Sequence, residues 1–302
     1  MDLDAKTWAE QVKCVAVIGA GTMGEGISQC FAEVGIAVQL CDVSNKALDR
    51  CRSQIAANLK LAGEYGLGVH SEDSTLALIR TVCSGDPASA IENADVIVET
   101  VPEIPDLKRS IFSSLDRQPD DILLCSNTSS MTMSGITDGM QTAFRTVGVH
   151  FFNPAHIIPA VEVHRGKHTG DDAVARISAL LRRVRKTPLE IGAELPGFAI
   201  NRLTGALSRE IANLLDEGVV KPKELDEAVR ASLGFRLAWV GPMEGADFIG
   251  LDTDARVSSA VFGTLSNRTE PSQALIEKVE QGHLGVKSGK GWYDYSNQSR
   301  EE

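Results

Sequence analysis

The chain has 302 residues, of which 43% are apolar and 24% charged, a composition that suits about two soluble globular domains needing no disulfide or metal staple. Lys plus Arg total 30 against 41 Asp plus Glu, a formal charge of −11, which argues against a nucleic-acid binder and against a polybasic membrane anchor. No apolar run reaches the ~18 residues of a spanning helix, residues 1–11 show no secretory signal, and the six cysteines form no C-x-x-C pair, so a cytoplasmic protein with reduced thiols and no metal site is expected.

The elements follow in chain order. Val12 to Ile18 is a continuous apolar run, as in a strand buried on both faces. Met23 to Val34 has helical spacing, and Ile36 to Cys41 reads as a second strand. Ser44 suits the N-cap of a helix reaching about Lys60, which Gly63 to Gly68 should break. Val96 to Thr100 and Ile122 to Ser126 read as strands flanking a helix around Leu107 to Leu115. Thr146 to His150 and Val161 to His164 are later strands. This alternation predicts an α/β fold, a doubly wound and mostly parallel sheet of the Rossmann type, over residues 1–194. After Pro196 the pattern becomes helical: Leu203, Leu207, Ile211 and Leu214 share a stripe, Pro222 opens a helix with Leu225, Ala228 and Val229 inward, and Asp252 to Leu265 and Ser272 to Gln281 follow. Residues 195–302 are therefore expected to form an all-helical domain.

Gly19-Ala20-Gly21-Thr22-Met23-Gly24 is a G-x-G-x-x-G between a buried strand and a helix. Gly19 permits the tight turn, Gly21 the approach of a pyrophosphate, and Gly24 close helix packing, while Thr22 and Met23 open a helix whose N-terminus favours phosphate. Asp42 ends the second strand, where a carboxylate suits an adenosine ribose and repels a 2′-phosphate. The pattern favours NAD over NADP, with Lys46 the one nearby cation against it.

His150 ends one expected strand and Glu162 lies in the next, so two antiparallel strands would bring imidazole and carboxylate together. Such a carboxylate fixes the tautomer of a base that takes a hydroxyl proton as hydride leaves the same carbon. A structural core histidine beside Phe151 and Phe152 is the other reading of these residues. Ser126-Asn127-Thr128-Ser129-Ser130 follows a strand, at the sheet edge where ligands bind, or is a plain polar turn. Asn201, after Pro196-Gly197-Phe198, suits a cap or an amide pointing into a cleft. His156 sits in the loop after His150 and is a candidate contact for a substrate carboxylate. His164 and His168 stand four apart, but Arg165-Gly166-Lys167 between them reads as a solvated turn. Gly285 to Lys290 has the wrong spacing for a phosphate loop.

Together these motifs resemble the 3-hydroxyacyl-CoA dehydrogenase family over nearly the whole chain. The resemblance rests on the glycine fingerprint, Asn127 to Ser130, His150-Phe151-Phe152-Asn153-Pro154, Val161-Glu162-Val163, Pro196 to Arg202, Gly241-Pro242 with Gly250-Leu251-Asp252, and Lys287 to Tyr293. It implies NAD-dependent oxidation of a short (S)-3-hydroxyacyl-CoA, in fatty acid metabolism. It implies His150 as general acid/base, Glu162 as its orienting partner, and Ser129 and Asn201 as holders of the substrate oxygen and the base. It further implies Glu103 and Lys108 near the nicotinamide ribose, Asn127 and Asn153 as cofactor contacts, Lys287 approaching the cofactor, and a homodimer formed through the helical domain. Two departures bear on the substrate. Asn58 and Tyr65 stand where acyl-CoA members carry a Ser and a Lys, and Ile158-Pro159-Ala160 is similar to branches acting on free hydroxy acids, the gulonate dehydrogenase/λ-crystallin and pyridine-carboxylate dehydrogenase groups. A free hydroxy carboxylate is therefore the alternative substrate, and a non-catalytic dinucleotide-binding or crystallin-like protein the alternative class.

Overall fold

A computed structural model describes residues 3–67 and 71–296. The order begins α1 (Leu3–Gln11), β1 (Cys14–Ile18), α2 (Thr22–Ala32), β2 (Ala37–Asp42), α3 (Asn45–Glu64), α4 (Glu72–Ala77), β3 (Ile79–Cys83), α5 (Pro87–Ala90), β4 (Val96–Glu99) and α6 (Pro105–Leu115). It continues with β5 (Leu123–Ser126), α7 (Met133–Ile136), β6 (Thr146–Phe151), β7 (Ala160–His164), α8 (Asp171–Arg183) and β8 (Thr187–Ile191). The α-helices α9 (Ile200–Asp216), α10 (Pro222–Val229), α11 (Phe235–Leu237), α12 (Pro242–Ile249), α13 (Leu251–Val261) and α14 (Gln273–Glu280) follow, with a π-helical turn over Arg230–Gly234 joining α10 to α11.

The strands form one sheet of order β3-β2-β1-β4-β5-β6-β7-β8, parallel except where β7 runs antiparallel to β6. Alternation along β1 explains the layering. Val15 and Val17 join the core that α1, α2, α3 and α8 cover, whereas Ala16 and Ile18 join the core beneath α6 and α7. Strand order reverses at β1 and β4, so their carboxyl ends open a crevice, the usual ligand position in such sheets.

Several elements differ from the sequence expectation. Residues 3–11 form a helix, tied down by Arg183, whose guanidinium donates to the Ala9 and Val12 carbonyls at 2.6 and 2.8 Å. Edge strand β3 and strand β8 escaped detection because their polar residues and Pro188 interrupt any apolar run. Helix α3 passes through Gly63 and ends at Glu64, since a glycine near an exposed helix end costs only about 1 kcal/mol. Gly68 of the expected break lies outside the described residues. The helix expected from Asp252 to Leu265 ends at Val261, followed by a 3₁₀ turn over Phe262–Thr264.

Contacts divide the chain into units of residues 1–200 and 201–302. Residues 195–200 stay with the sheet because the Ala199 and Ile200 amides bond Glu162. The second unit is helical, but α9 buries none of its residues, and Ala228, expected inward, is exposed.

Candidate active site

The antiparallel register of β6 and β7 sets His150 directly opposite Glu162. Their side chains are 8% and 1% exposed, and Nδ1 lies 2.8 Å from Oε2. The other carboxylate oxygen, Oε1, accepts the Ala199 and Ile200 N–H groups at 2.8 and 2.9 Å. The buried carboxylate is thus bonded on both oxygens, as burial of a charge requires. With Nδ1–H given to Glu162, Nε2 keeps the lone pair a base needs. Phe152 and Phe198 flank the imidazole at centroid distances of 4.6 and 5.4 Å.

A second polar cluster lies at the ends of β4 and β5. Lys108 has no exposed side-chain surface, and its Nζ is 2.7 Å from Glu99 and 3.3 Å from Glu103. Glu99 also accepts from the Ser126 hydroxyl at 2.6 Å, and burial pushes its carboxyl above the ordinary range against the pull of Lys108. Glu103 collects the Thr128 hydroxyl, the Ser129 and Ser130 amides and the Ser130 hydroxyl on Oε1. Burial opposes its ionisation, but these bonds and Lys108 hold its carboxyl below the ordinary range. The charge of Lys108 is therefore enclosed by two carboxylates, and it shapes the site through Glu103. Asn127 Oδ1 accepts the Phe151 N–H at 3.0 Å, fastening the end of β5 to the strand that carries His150. Ser129 is exposed beside it.

The glycine fingerprint forms the floor of a cleft of about 800 Å³, lined by Gly19 to Met23, Asp42, Thr100 and the apolar side chains of Val43, Val101, Leu107 and Ile111. Gly19 has φ +110°, open to glycine, and a Cβ on Gly24 would collide with the Gly19 carbonyl oxygen. A Cβ on Gly21 would meet nothing within 4 Å, so the backbone there is bare toward a ligand. Asp42 accepts the Ala20 amide on Oδ2 at 2.8 Å and the Ser44 amide on Oδ1 at 2.9 Å, which leaves each oxygen further acceptor capacity. The cleft, its bare glycine backbone and this carboxylate fit a dinucleotide. Arg50 also lines the cleft; the sequence reading missed it, although it stands three residues past Ala47 on the same face of α3. Replacing Asp42 with Ala is expected to weaken NAD binding by about 1.5–3 kcal/mol, the worth of hydrogen bonds to a charged group, as read by calorimetry.

Other candidates fall elsewhere. Asn153 is exposed in the loop between β6 and β7. His156 does not join the His150 site: it lines a separate cavity of about 230 Å³ with Cys30, Glu33 and Lys186. The loop is held that way because Lys186 donates to the Ala155 and Ile158 carbonyls at 2.5 and 2.9 Å. Asn201 is exposed in the first turn of α9, and Lys287 lies in a 3₁₀ turn over Val286–Ser288; both belong to the second unit. Among the described residues, no group of three or more His, Cys, Asp and Glu side chains is placed to hold a metal ion.

His164 ends β7, where the strand expected over Val161 to His164 also ends, and its ring is buried. Burial first, then His150, pushes its imidazole down from the usual 6.5 to about 4. Between these pH values the unfolded chain binds a proton that the folded chain does not, so stability rises with pH. The contribution is full above about pH 6.5 and disappears as pH falls to about 4, up to about 3 kcal/mol. Urea midpoints at pH 7 and pH 5 should therefore differ less in His164→Leu than in the parent.

Comparison with known proteins bears directly on this geometry. Residues 14–194 match the NAD binding domain of 3-hydroxyacyl-CoA dehydrogenase, and residues 197–295 its C-terminal domain. The chain is 33% identical over 287 residues to the 5-formyl-3-hydroxy-2-methylpyridine 4-carboxylate 5-dehydrogenase of Mesorhizobium japonicum, covering 94% of this chain and 91% of that protein. It is 32% identical over 291 residues to a probable 3-hydroxybutyryl-CoA dehydrogenase of Bacillus subtilis, covering 96% and 99%. A crystal structure of an NAD⁺-dependent 5-formyl-3-hydroxy-2-methylpyridine 4-carboxylic acid 5-dehydrogenase superposes with a TM-score of 0.86 at 32% identity, covering 95% of this chain and 92% of that one. The (S)-3-hydroxybutyryl-CoA dehydrogenase of Ralstonia eutropha superposes with a TM-score of 0.75 at 33% identity, covering 95% and 100%. Sheet, cleft and both matched domains lead to one conclusion: the chain belongs to the 3-hydroxyacyl-CoA dehydrogenase family and is an NAD-dependent dehydrogenase acting on a CH–OH group.

Proposed function

We propose that the chain oxidises the 3-hydroxy carbon of a short (S)-3-hydroxyacyl-CoA, and reduces the ketone in reverse, with His150 as the general acid/base. The observation that carries this reading is the buried bond of His150 Nδ1 to Glu162 Oε2 at 2.8 Å, because it leaves Nε2 basic beside a fixed counter-charge. NAD, when bound, supplies the hydride acceptor. Gly19, Gly21, Thr22, Met23 and Gly24 would hold its pyrophosphate and Asp42 its adenosine ribose. Glu103, positioned by Lys108, would meet the second ribose, with Asn127, Asn153 and Lys287 as further cofactor contacts. His150 takes the hydroxyl proton on Nε2, and Glu162 stabilises the imidazolium so formed. Ser129 and Asn201 would hold the substrate oxygen. A protein that only bound the dinucleotide would need no such base. In this reading residues 1–194 are the nucleotide-binding domain, residues 195–302 are the substrate and dimerisation domain, and the enzyme works in the cytoplasm.

A free hydroxy carboxylate is the second reading, and a specific contact favours it. Asn58 on α3 donates to Glu25 Oε1 at 3.0 Å and to Gln29 Oε1 at 3.3 Å on α2, so this position is tied to a carboxylate and an amide and brings no cation for CoA phosphates. NADH formation measured side by side with (S)-3-hydroxybutyryl-CoA and a panel of free hydroxy acids separates the two. Turnover of the thioester is the expected result, and turnover of free acids alone overturns the first reading.

We also propose a homodimer formed through residues 201–302. Leu203 on α9, Phe248 on α12 and Trp239 are 62%, 75% and 80% exposed, apolar surface that a second copy would cover. Light scattering should give twice the mass of one chain. Among the described residues no helix is long and apolar enough to cross a membrane.

A further inference from the structure

The register pairs Gly148 with His164 and His150 with Glu162, so these four residues share one face of the β6–β7 ribbon. His164 lies at the far end of that row, 1% exposed, and its Nε2 has no hydrogen-bond partner. Leaving an imidazole nitrogen buried and unpaired is costly, so the ring is held there by packing. Gly148 makes the space: a Cβ at that position would collide with Cε1 and Nε2 of the His164 ring. The ring then stacks on Phe198, with centroids 4.0 Å apart and planes 26° from parallel.

Phe198 is itself in an unusual state. It is 1% exposed with φ +50°, directly after Gly197 at φ +77°. A bulky residue in the left-handed region persists only where its surroundings hold it. Its ring touches both histidines, and the two amides that follow it are the ones Glu162 Oε1 accepts. A physical chain thus runs from His164 through Phe198 to the Ala199 and Ile200 amides, and through Glu162 to His150.

We propose that His164 is a positioning residue for the His150–Glu162 pair, its ring laid over Gly148 so as to pin Phe198 and, through it, the amides that fix Glu162. The proposal rests on His150 being the base. The charged and titratable groups around the ring are His150 and Glu162 on the ribbon and Glu103, itself paired with Lys108, from the loop after β4. Held neutral by burial, His164 adds no positive charge to compete with the imidazolium formed at His150.

Two readouts test it in the full-length protein: hydrogen exchange of the Ala199 and Ile200 amides, and the pH dependence of kcat/KM with whichever panel substrate is turned over fastest. His164→Phe keeps an aromatic face and should retain slow exchange and kcat within about twofold of the parent. His164→Ala should speed exchange at both amides, lower kcat about tenfold, the size of one aromatic pairing, leave KM unchanged and move the acid limb of kcat/KM. If the Ala variant does not fold, His164→Leu fills the volume without an aromatic face and should change in the same directions. Unchanged exchange and an unchanged acid limb in the Ala or Leu variant overturn the proposal, as does a Phe variant impaired as deeply as they are. His150→Ala serves as the control. Loss there with none in the His164 variants overturns the positioning role alone, whereas loss in neither overturns the base assignment beneath it.

Discussion

Replacing His150 with alanine is expected to lower kcat by about 10²–10⁴-fold, the usual worth of a general acid–base group, with NAD affinity unchanged. The expectation follows from the division of labour in the sheet. The dinucleotide cleft opens at the ends of β1, β2 and β4, and its lining residues do not include His150. The imidazole instead stands one residue before the end of β6, with Glu162 fixed against it by register and by two backbone amides. Removing it would delete the proposed proton acceptor without touching the glycine turn or Asp42. Steady-state turnover together with calorimetric titration of NAD reads both halves; near-normal turnover would refute the assignment. Glu162→Gln should lose less, and mainly in kcat, because an amide still occupies the place opposite His150 but no longer balances the imidazolium charge.

The largest effect on stability is expected at Lys108. Its ammonium is wholly buried between Glu99 and Glu103, so Lys108→Met leaves Glu99, itself fully buried, without its cation. Breaking such a pair from one side costs about 3–5 kcal/mol, far more than an exposed ion pair is worth. The urea midpoint should fall accordingly. Adding Glu99→Gln should restore much of the loss, since both buried charges are then gone while Ser126 keeps a polar partner. A Lys108→Met protein as stable as the parent would show that this cluster is hydrated or otherwise compensated.

What the sequence made legible follows physical rules that act locally. The apolar run of β1, the glycine turn and Asp42 lie close together in the chain, so their spacing carries their geometry. His150 and Glu162 were equally readable, because two short antiparallel strands with one loop leave a single sensible pairing. Edge strand β3 was not, since a strand with one flank uncovered need not be apolar. The burial of Lys108 was not legible either, because sequence shows a charge but not its enclosure by Glu99, nine residues earlier on another element. The surroundings of His156 and His164 were hidden for the same reason: proximity in the chain to His150 does not decide which ring shares its face. Lys186 turned one away, and Gly148 made room for the other.

The central claim is that His150 and Glu162 act as one device, and a double-mutant cycle on kcat tests it most directly. Groups that act as a unit are strongly non-additive. The account predicts that His150→Ala/Glu162→Gln turns over no more slowly than His150→Ala alone, since Glu162 has nothing left to orient. Losses that multiply across the two substitutions would contradict it.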